Sequence, residues 1–337
     1  MFWSALEEEN TVKKNVSRRE FLQVSSAGAL GGAVALRAGN TATALPTARG
    51  PFRGTLCLFS KPVPQLNWKE LAESTKRAGF DGIDLTVRPE GHVLPERAET
   101  DLPKAVAAIR EAGLQVPMIS TALLSADDPT ARPIISTAGK LSIPYLKPGY
   151  YKYELVNVQK EVDEAGRQFR TLVDLARDHG IQVGYHNHPR YIGEAIWDMA
   201  RVIEPLDSRW SGYYYDLCQA TIEGGESGWR VSTNLVTPRL KMVAAKDFFW
   251  KPAGSHRWRI EICPMGQGMS HWKEFFQILA KSDFQGPVSY QHEYEIPGYS
   301  HPSGIALSRD KVPTVMAAIK ENLDYIKTVI REAYEGA

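Results

Sequence analysis

The stretch RDHGIQVGYHNHP, Arg177 to Pro189, holds three signals in succession. Arg177 followed by Gly180 reads as the end of a helix, because glycine takes the left-handed conformation that closes one. Ile181 to His186 then reads as a strand, and Pro189, which cannot donate to a sheet ladder, ends it. At the strand's mouth stand two of the chain's eight histidines, His186 and His188. Continued alternation would point both the same way, with Asn187 opposite.

The same joint recurs along the chain as RAGFDG (Arg77 to Gly82), REAGLQV (Arg110 to Val116) and KSDFQG (Lys281 to Gly286). A basic residue ends the helix each time, and three of the four joints place a glycine before the next strand. Working outward, eight strands are expected at Thr55–Phe59, Gly82–Thr86, Leu114–Ser120, Ile143–Lys147, Ile181–His186, Ser211–Asp216, Leu240–Lys246 and Pro287–Glu293. Helices are expected at Trp68–Ala78, Pro103–Glu111, Arg132–Lys140, Glu161–Asp178, Glu194–Ile203, Gly228–Leu235, His271–Lys281 and Thr314–Tyr334. Alternating strands and helices with one repeated joint predict a single α/β domain, a (β/α)8 TIM barrel over residues 45–337, with its active site at the C-terminal ends of the strands.

The preceding segment, residues 1–44, reads as a twin-arginine signal peptide. SRREFL (Ser17 to Leu22) resembles the twin-arginine motif, and QVSSAGALGGAVAL (Gln23 to Leu36) is apolar but falls short of the roughly 20 residues a membrane helix needs. The run TATA, Thr41 to Ala44, offers a cleavage site, so a mature chain is expected from Leu45, periplasmic or secreted and with no membrane segment. That route exports folded proteins, which suits a site filled before export. Three cysteines, Cys57, Cys218 and Cys263, cannot all pair within one chain, and apolar contexts predict packed thiols. A hydrophobic fraction of 43% with 23% charged residues suits a soluble domain, and a net charge of +1 gives no bulk attraction to nucleic acid or anionic lipid. A small, roughly neutral partner is the expectation.

If the barrel is right, chemistry should follow each strand. Lys61 follows the first, Arg88 and His92 the second, and Lys147 closes the fourth before PGYYKY. His186 and His188 follow the fifth, Asp216 the sixth, Lys246 and Asp247 the seventh, and His292, Glu293 and Glu295 the eighth. Imidazoles beside carboxylates suit Mn, Zn, Co or Fe better than Mg or Ca, so His186, Asp216 and Glu293 are the candidate ligands of a divalent metal.

The motifs LCLFSK, GFDGIDLTVRPEGHVLPE, HNHP, YYYDLCQA, KDFFW, CPMGQG and SYQHEYE, in this order and spacing, resemble the xylose isomerase-like TIM-barrel superfamily, in its sugar phosphate isomerase/epimerase family. The resemblance spans residues 45–337 and implies a metal bound by Glu, Asp, His and Glu after strands five to eight. Asp216 and Glu293 match that pattern, whereas His186 stands where a carboxylate is usual, Ala244 where the strand-seven histidine is usual, and Gln219 where Asp-x-x-His ends in histidine. His188 or His256 would complete the ligand set.

The resemblance further implies enolisation of a keto sugar between two carboxylates on opposite faces. With His186 replacing one of them, Glu293 is expected as ligand and base and His186 or His188 as acid, with Lys246 assisting at the reacting centre. Lys61, Arg88, His92 and Lys147 are expected to bind hydroxyls or an enolate oxygen, and Tyr150, Tyr151, Phe249 and Trp250 to stack on the sugar. The expected activity is a sugar isomerase or epimerase. Its alternatives are a lyase or dehydratase performing β-elimination on a keto sugar or 3-keto-glycoside, and a non-catalytic sugar-binding barrel. Export favours a free sugar over a phosphorylated one, and an endonuclease is disfavoured by the missing basic stripe.

Overall fold

The computed structural model describes residues 50–296 and 307–336; the twin-arginine motif, the apolar segment after it and the cleavage run lie outside the described residues. In chain order the elements are β1 (Leu56–Phe59), α1 (Trp68–Ala78), β2 (Gly82–Val87), α2 (Ala98–Glu111), β3 (Gln115–Thr121), α3 (Ala131–Lys140), β4 (Tyr145–Lys147), α4 (Val158–Asp178) and β5 (Gln182–His186). They continue as α5 (Ile196–Ile203), β6 (Ser211–Asp216), α6 (Leu217–Val236), β7 (Leu240–Ala245), β8 (Asp247–Pro252), β9 (Trp258–Cys263), α7 (Trp272–Lys281), β10 (Val288–Tyr290) and α8 (Val312–Glu335). Eight strands close into a parallel barrel in the order β1-β10-β7-β6-β5-β4-β3-β2, while β8 and β9 form a separate antiparallel hairpin. This is the expected (β/α)8 barrel.

The repeated joint has one geometry. Gly79, Gly113 and Gly180 sit at φ of 94°, 74° and 74°, each donating to the carbonyl three residues back, while the next residue donates to the carbonyl five back. That pair of bonds closes a helix by the Schellman arrangement and leaves the chain aimed into the following strand. Asp283 (φ 55°) and Ser142 (φ 56°) make the same bonds without glycine, so five joints share one solution. A left-handed conformation costs a non-glycine residue about 1–2 kcal/mol, less for Asp. Asp283→Gly is therefore expected to raise the melting temperature by about 1–2 °C, read by thermal unfolding; a decrease would show that the carboxylate itself stabilises this joint.

Between barrel and helices lies the main apolar core, and inside the barrel Met118, Tyr214, Met242 and Ala244 pack as a smaller one. Gly184 of β5 leaves the space that Met242 fills, since a Cβ there would approach the methionine's Cε to 2.2 Å. Next to this inner layer the buried Asp84 carboxylate accepts from Ser120 Oγ and Ser289 Oγ (both 2.8 Å) and from the Tyr214 hydroxyl (3.3 Å). Burial raises its pKa to about 6 against these hydrogen bonds. Cys57, Cys218 and Cys263 are free and buried.

Three sequence expectations shift. The helix expected from Gly228 begins at Leu217, because the Asp216 side chain accepts from the Gln219 N–H and caps it directly at the strand end. Gly224, Gly225 and Gly228 obscured its pattern, and Gly225 kinks it at φ 61°. The last barrel strand ends at Tyr290, leaving Gln291 to Glu293 as loop, and α2 starts ahead of Pro103 at Ala98. The β8–β9 hairpin was not read at all. Among the described residues no helix is long and apolar enough to cross a membrane.

Candidate functional site

Each strand delivers its last residues to the same end of the barrel. Asp216 closes β6, fully buried, and Lys246 occupies the single position between β7 and β8. The Lys246 Nζ lies 3.1 Å from Asp216 Oδ2 and 2.9 Å from Glu293 Oε2, and 3.5 Å from Gln291 Oε1. Lys61 Nζ reaches the other Glu293 oxygen at 3.3 Å. Burial alone would raise both carboxyls, but the Lys246 ammonium holds Asp216 below its usual pKa and, with Lys61, holds Glu293 well below. Burial works against the Lys246 charge too, and Asp216 and Glu293 outweigh it, lifting its pKa well above the ordinary value. The Glu293 carboxylate is thus firmly ionised and a poor base in the free protein.

His186 is fixed at both nitrogens. Its Nε2 lies 3.2 Å from Asp216 Oδ2 and its Nδ1 lies 2.7 Å from the Tyr150 hydroxyl. An ionised carboxylate only accepts, so Nε2 carries the proton and Nδ1 accepts from Tyr150. Asn187 locks this arrangement: its amide donates to the Asp216 carbonyl at 3.0 Å while its oxygen accepts the Asp216 N–H at 2.8 Å. His188 Nδ1 donates to the Pro189 carbonyl at 3.1 Å, which leaves Nε2 with its lone pair. Burial lowers both imidazoles to a pKa of about 4, so both are neutral at pH 7.

A cavity of about 70 Å³ opens over this group, walled by Lys61, Arg88, Lys147, Tyr150, His186, His188 and Glu293 among others. A second, of about 390 Å³, shares Lys61 and Arg88 and adds Thr86 and His92. That volume is in the range of small-molecule sites, about 300–1,000 Å³. Lys147 Nζ stands 3.5 Å over the Tyr150 ring, and among the described residues no carboxylate lies within ion-pair distance of it. Burial and then the Arg88 charge push its pKa well below the usual lysine value.

The sequence-predicted residues divide accordingly. Lys61, Arg88, Lys147, His186, His188 and Glu293 meet in one wall. His92 belongs to the outer cavity, where its backbone N–H donates to Thr86 Oγ1. Lys246 was expected at the reacting centre, but it lies behind that wall, buried between the carboxylates. Asp247 accepts from the backbone of Phe248, Gly266, Gly268 and Ser270 and so shapes the loop after β9. Phe249 and Trp250 sit on the hairpin, outside both cavities, and Tyr151 spends its hydroxyl on the Leu124 carbonyl. Tyr150, read from sequence only as a stacking ring, is the residue whose chemistry was missed. Its neighbour Gly149 and the PGYY run gave no sign of a hydroxyl aimed at His186.

The expected metal set does not fit. Both nitrogens of His186 are engaged, Asp216 gives one oxygen to the α6 cap and the other to Lys246 and His186, and each Glu293 oxygen faces a lysine. A divalent ion between these groups would be pressed against an ammonium that already holds the shared position. Of the two alternative ligands, His188 offers a single free nitrogen, Nε2, beside carboxylates already held by lysines, and His256 lies exposed on the β8–β9 turn. Among the described residues no group of three or more His, Cys, Asp or Glu side chains is arranged to hold a metal ion.

The family model described as xylose isomerase-like TIM barrel matches residues 72–328. No curated protein matches the chain. Among solved structures, D-allulose 3-epimerase from Methylomonas sp. in complex with D-allulose is similar at 18% identity and a TM-score of 0.60, covering 83% of this chain and 98% of that one. A xylose isomerase-like TIM-barrel protein from Mycobacterium smegmatis in complex with magnesium is similar at 16% identity and a TM-score of 0.61, covering 83% and 98%. A probable 3-DHS dehydratase from Bacillus anthracis is similar at 14% identity and a TM-score of 0.59, covering 81% and 98%. At these identities the likeness is one of fold.

Proposed function

The chain belongs to the xylose isomerase-like TIM-barrel family, and on that premise we propose that it is an enzyme that moves a proton at the carbon next to the carbonyl of a keto sugar or oxidised sugar derivative, as an isomerase or epimerase. The observation that carries this reading is the pairing, in one cavity wall, of a neutral imidazole with a free lone pair and a hydroxyl tied to a His–Asp pair. His188 Nε2 takes the proton from carbon, the electron pair of that C–H bond forms the carbon–carbon double bond of the enolate, and the carbonyl π pair moves onto oxygen. Lys147, Lys61 and Arg88 face the cavity and stabilise the enolate oxygen. Tyr150 returns a proton to carbon, leaving a phenolate that regains its proton from solvent as His188 releases the one it took; His186, its tautomer fixed by Asp216, accepts from the Tyr150 hydroxyl and orients it.

Glu293 enters from β10, which stands diametrically across the closed barrel from β4, whose following loop carries Tyr150. Its role in this scheme is to hold Lys61 and Lys246. His188 and Tyr150 follow the neighbouring strands β5 and β4, with rings 4.7 Å apart, an arrangement that suits proton transfer along one face of the substrate. The likeness in fold to a probable dehydratase supports a second reading, a lyase in which the same enolate expels a β-substituent.

The test is proton exchange. Free ketoses and 3-keto-glycosides incubated with the protein in D2O are expected to gain deuterium next to the carbonyl, seen by NMR, and His188→Gln should slow this about 100-fold. A new sugar isomer would mark the isomerase and an unsaturated product the lyase. Saturable sugar binding with no exchange would overturn catalysis and leave a binding barrel.

A further inference from the structure

We propose that this barrel works without a divalent metal, the buried ammonium of Lys246 holding Asp216 and Glu293 together where a cation would otherwise do so. The contact to Glu293, 2.9 Å, is a direct charge-assisted hydrogen bond, and that to Asp216, 3.1 Å, is a close ion pair. Lys246 is buried and, among the described residues, has no third carboxylate within ion-pair distance. Two further cations, Lys61 and Arg88, face the same cavity, so an added dication would meet three cationic side chains against two carboxylates.

The neighbouring strand supplies no donor. Ala244 pairs in register with Asp216 and presents only a methyl group on β7, packed in the apolar interior with Met118 and Met242. Of the two neutral imidazoles, His186 has no free nitrogen and His188 offers only Nε2, one donor where a dication needs several. Electrostatic help for the enolate then falls to Lys147, Lys61 and Arg88, and Lys246 is a positioning residue that keeps Asp216 oriented toward His186. This last step rests on the proposed function; the absence of a metal requirement does not.

Metal binding can be read without any substrate. Purified protein is expected to contain far less than one Mn, Zn, Co, Fe or Mg per chain by elemental analysis, and its melting temperature to be unmoved by excess Mn²⁺, Zn²⁺ or Mg²⁺. Near-stoichiometric metal, or a stabilisation by metal that Asp216→Asn abolishes, overturns the proposal. Lys246→Ser frees both carboxylates and should create a site, giving a rise of about 5 °C with Mn²⁺ at about a hundredfold excess over Kd. A folded Lys246→Ser protein that ignores every cation would overturn the placement of the ammonium at a cation's position; if that variant does not fold, the wild-type measurements decide alone. Proton exchange absent from a metal-free protein would sink the proposed activity and leave this inference standing.

Discussion

Lowering the pH from 7 to 5 is expected to remove about 5 kcal/mol of folding stability, enough to unfold a protein of ordinary marginal stability. The cause is four imidazoles, His92, His186, His188 and His292, all lowered by burial from 6.5 to about 4. Each is neutral in the fold and takes a proton more readily once unfolded, so the unfolded chain binds more protons and stability falls as pH falls through the window from 6.5 to 4. At pH 5 the buried His186 and His292 lose about 2 kcal/mol each, and the partly exposed His92 and His188 less. Asp84 has the opposite sign: raised to about 6, it binds its proton more readily in the fold and returns about 1 kcal/mol. Urea unfolding at pH 7, 6 and 5 measures the sum. A flat profile would mean that these rings are protonated, and paired, in the folded state.

The second large effect is Asp216→Asn. The substitution keeps the oxygen that caps α6 but withdraws the charge that fixes the His186 tautomer and faces Lys246. With an amide at that position His186 can flip its proton to Nδ1, where it no longer accepts from Tyr150. The corresponding loss in a Ser-His-Asp triad is about 10⁴ in turnover, and a fall of about 10³–10⁴-fold is expected here. Stability should drop by about 3 kcal/mol, the low end for breaking a buried pair, because Glu293 keeps one contact to Lys246. The diagnostic comparison is with Tyr150→Phe and the double variant. If Asp216 acts through His186 on Tyr150, the double variant is no slower than the slower single one. Multiplied losses would separate Asp216 from the tyrosine and confine it to holding Lys246.

The fold was legible because the joints repeat: Gly79, Gly113 and Gly180 mark helix ends by a conformation that few other residues adopt. Asp283 and Ser142 adopt it without the marker: the basic residue of KSDFQG still revealed the first, and the second carried no sign of a joint. The hairpin escaped because Trp250, Trp258 and Ile260 lie exposed on it and its turn is held by Gly254 and His256 at positive φ, so no buried face imposed an alternating pattern. At the site, strand-end placement found Asp216, His186, His188, Glu293, Lys61, Arg88 and Lys147, since a barrel brings strand ends together whatever they carry. What it could not find was who partners whom. Whether Lys246 faces substrate or carboxylates depends on its side-chain path between β7 and β8, and the hydroxyl of Tyr150 meets His186 only through loop geometry.

The five shared joints lie at the strand starts, the end of the barrel away from the cavity. Because each closes with the same two backbone bonds and asks of its central residue only a left-handed turn, they are interchangeable parts. A joint can be traded for another, or drift in sequence, without displacing a single group at the opposite rim. Chemistry and assembly are thereby placed under separate control, so the rim can be rebuilt for a different ligand while the floor that holds the barrel closed is left as it is.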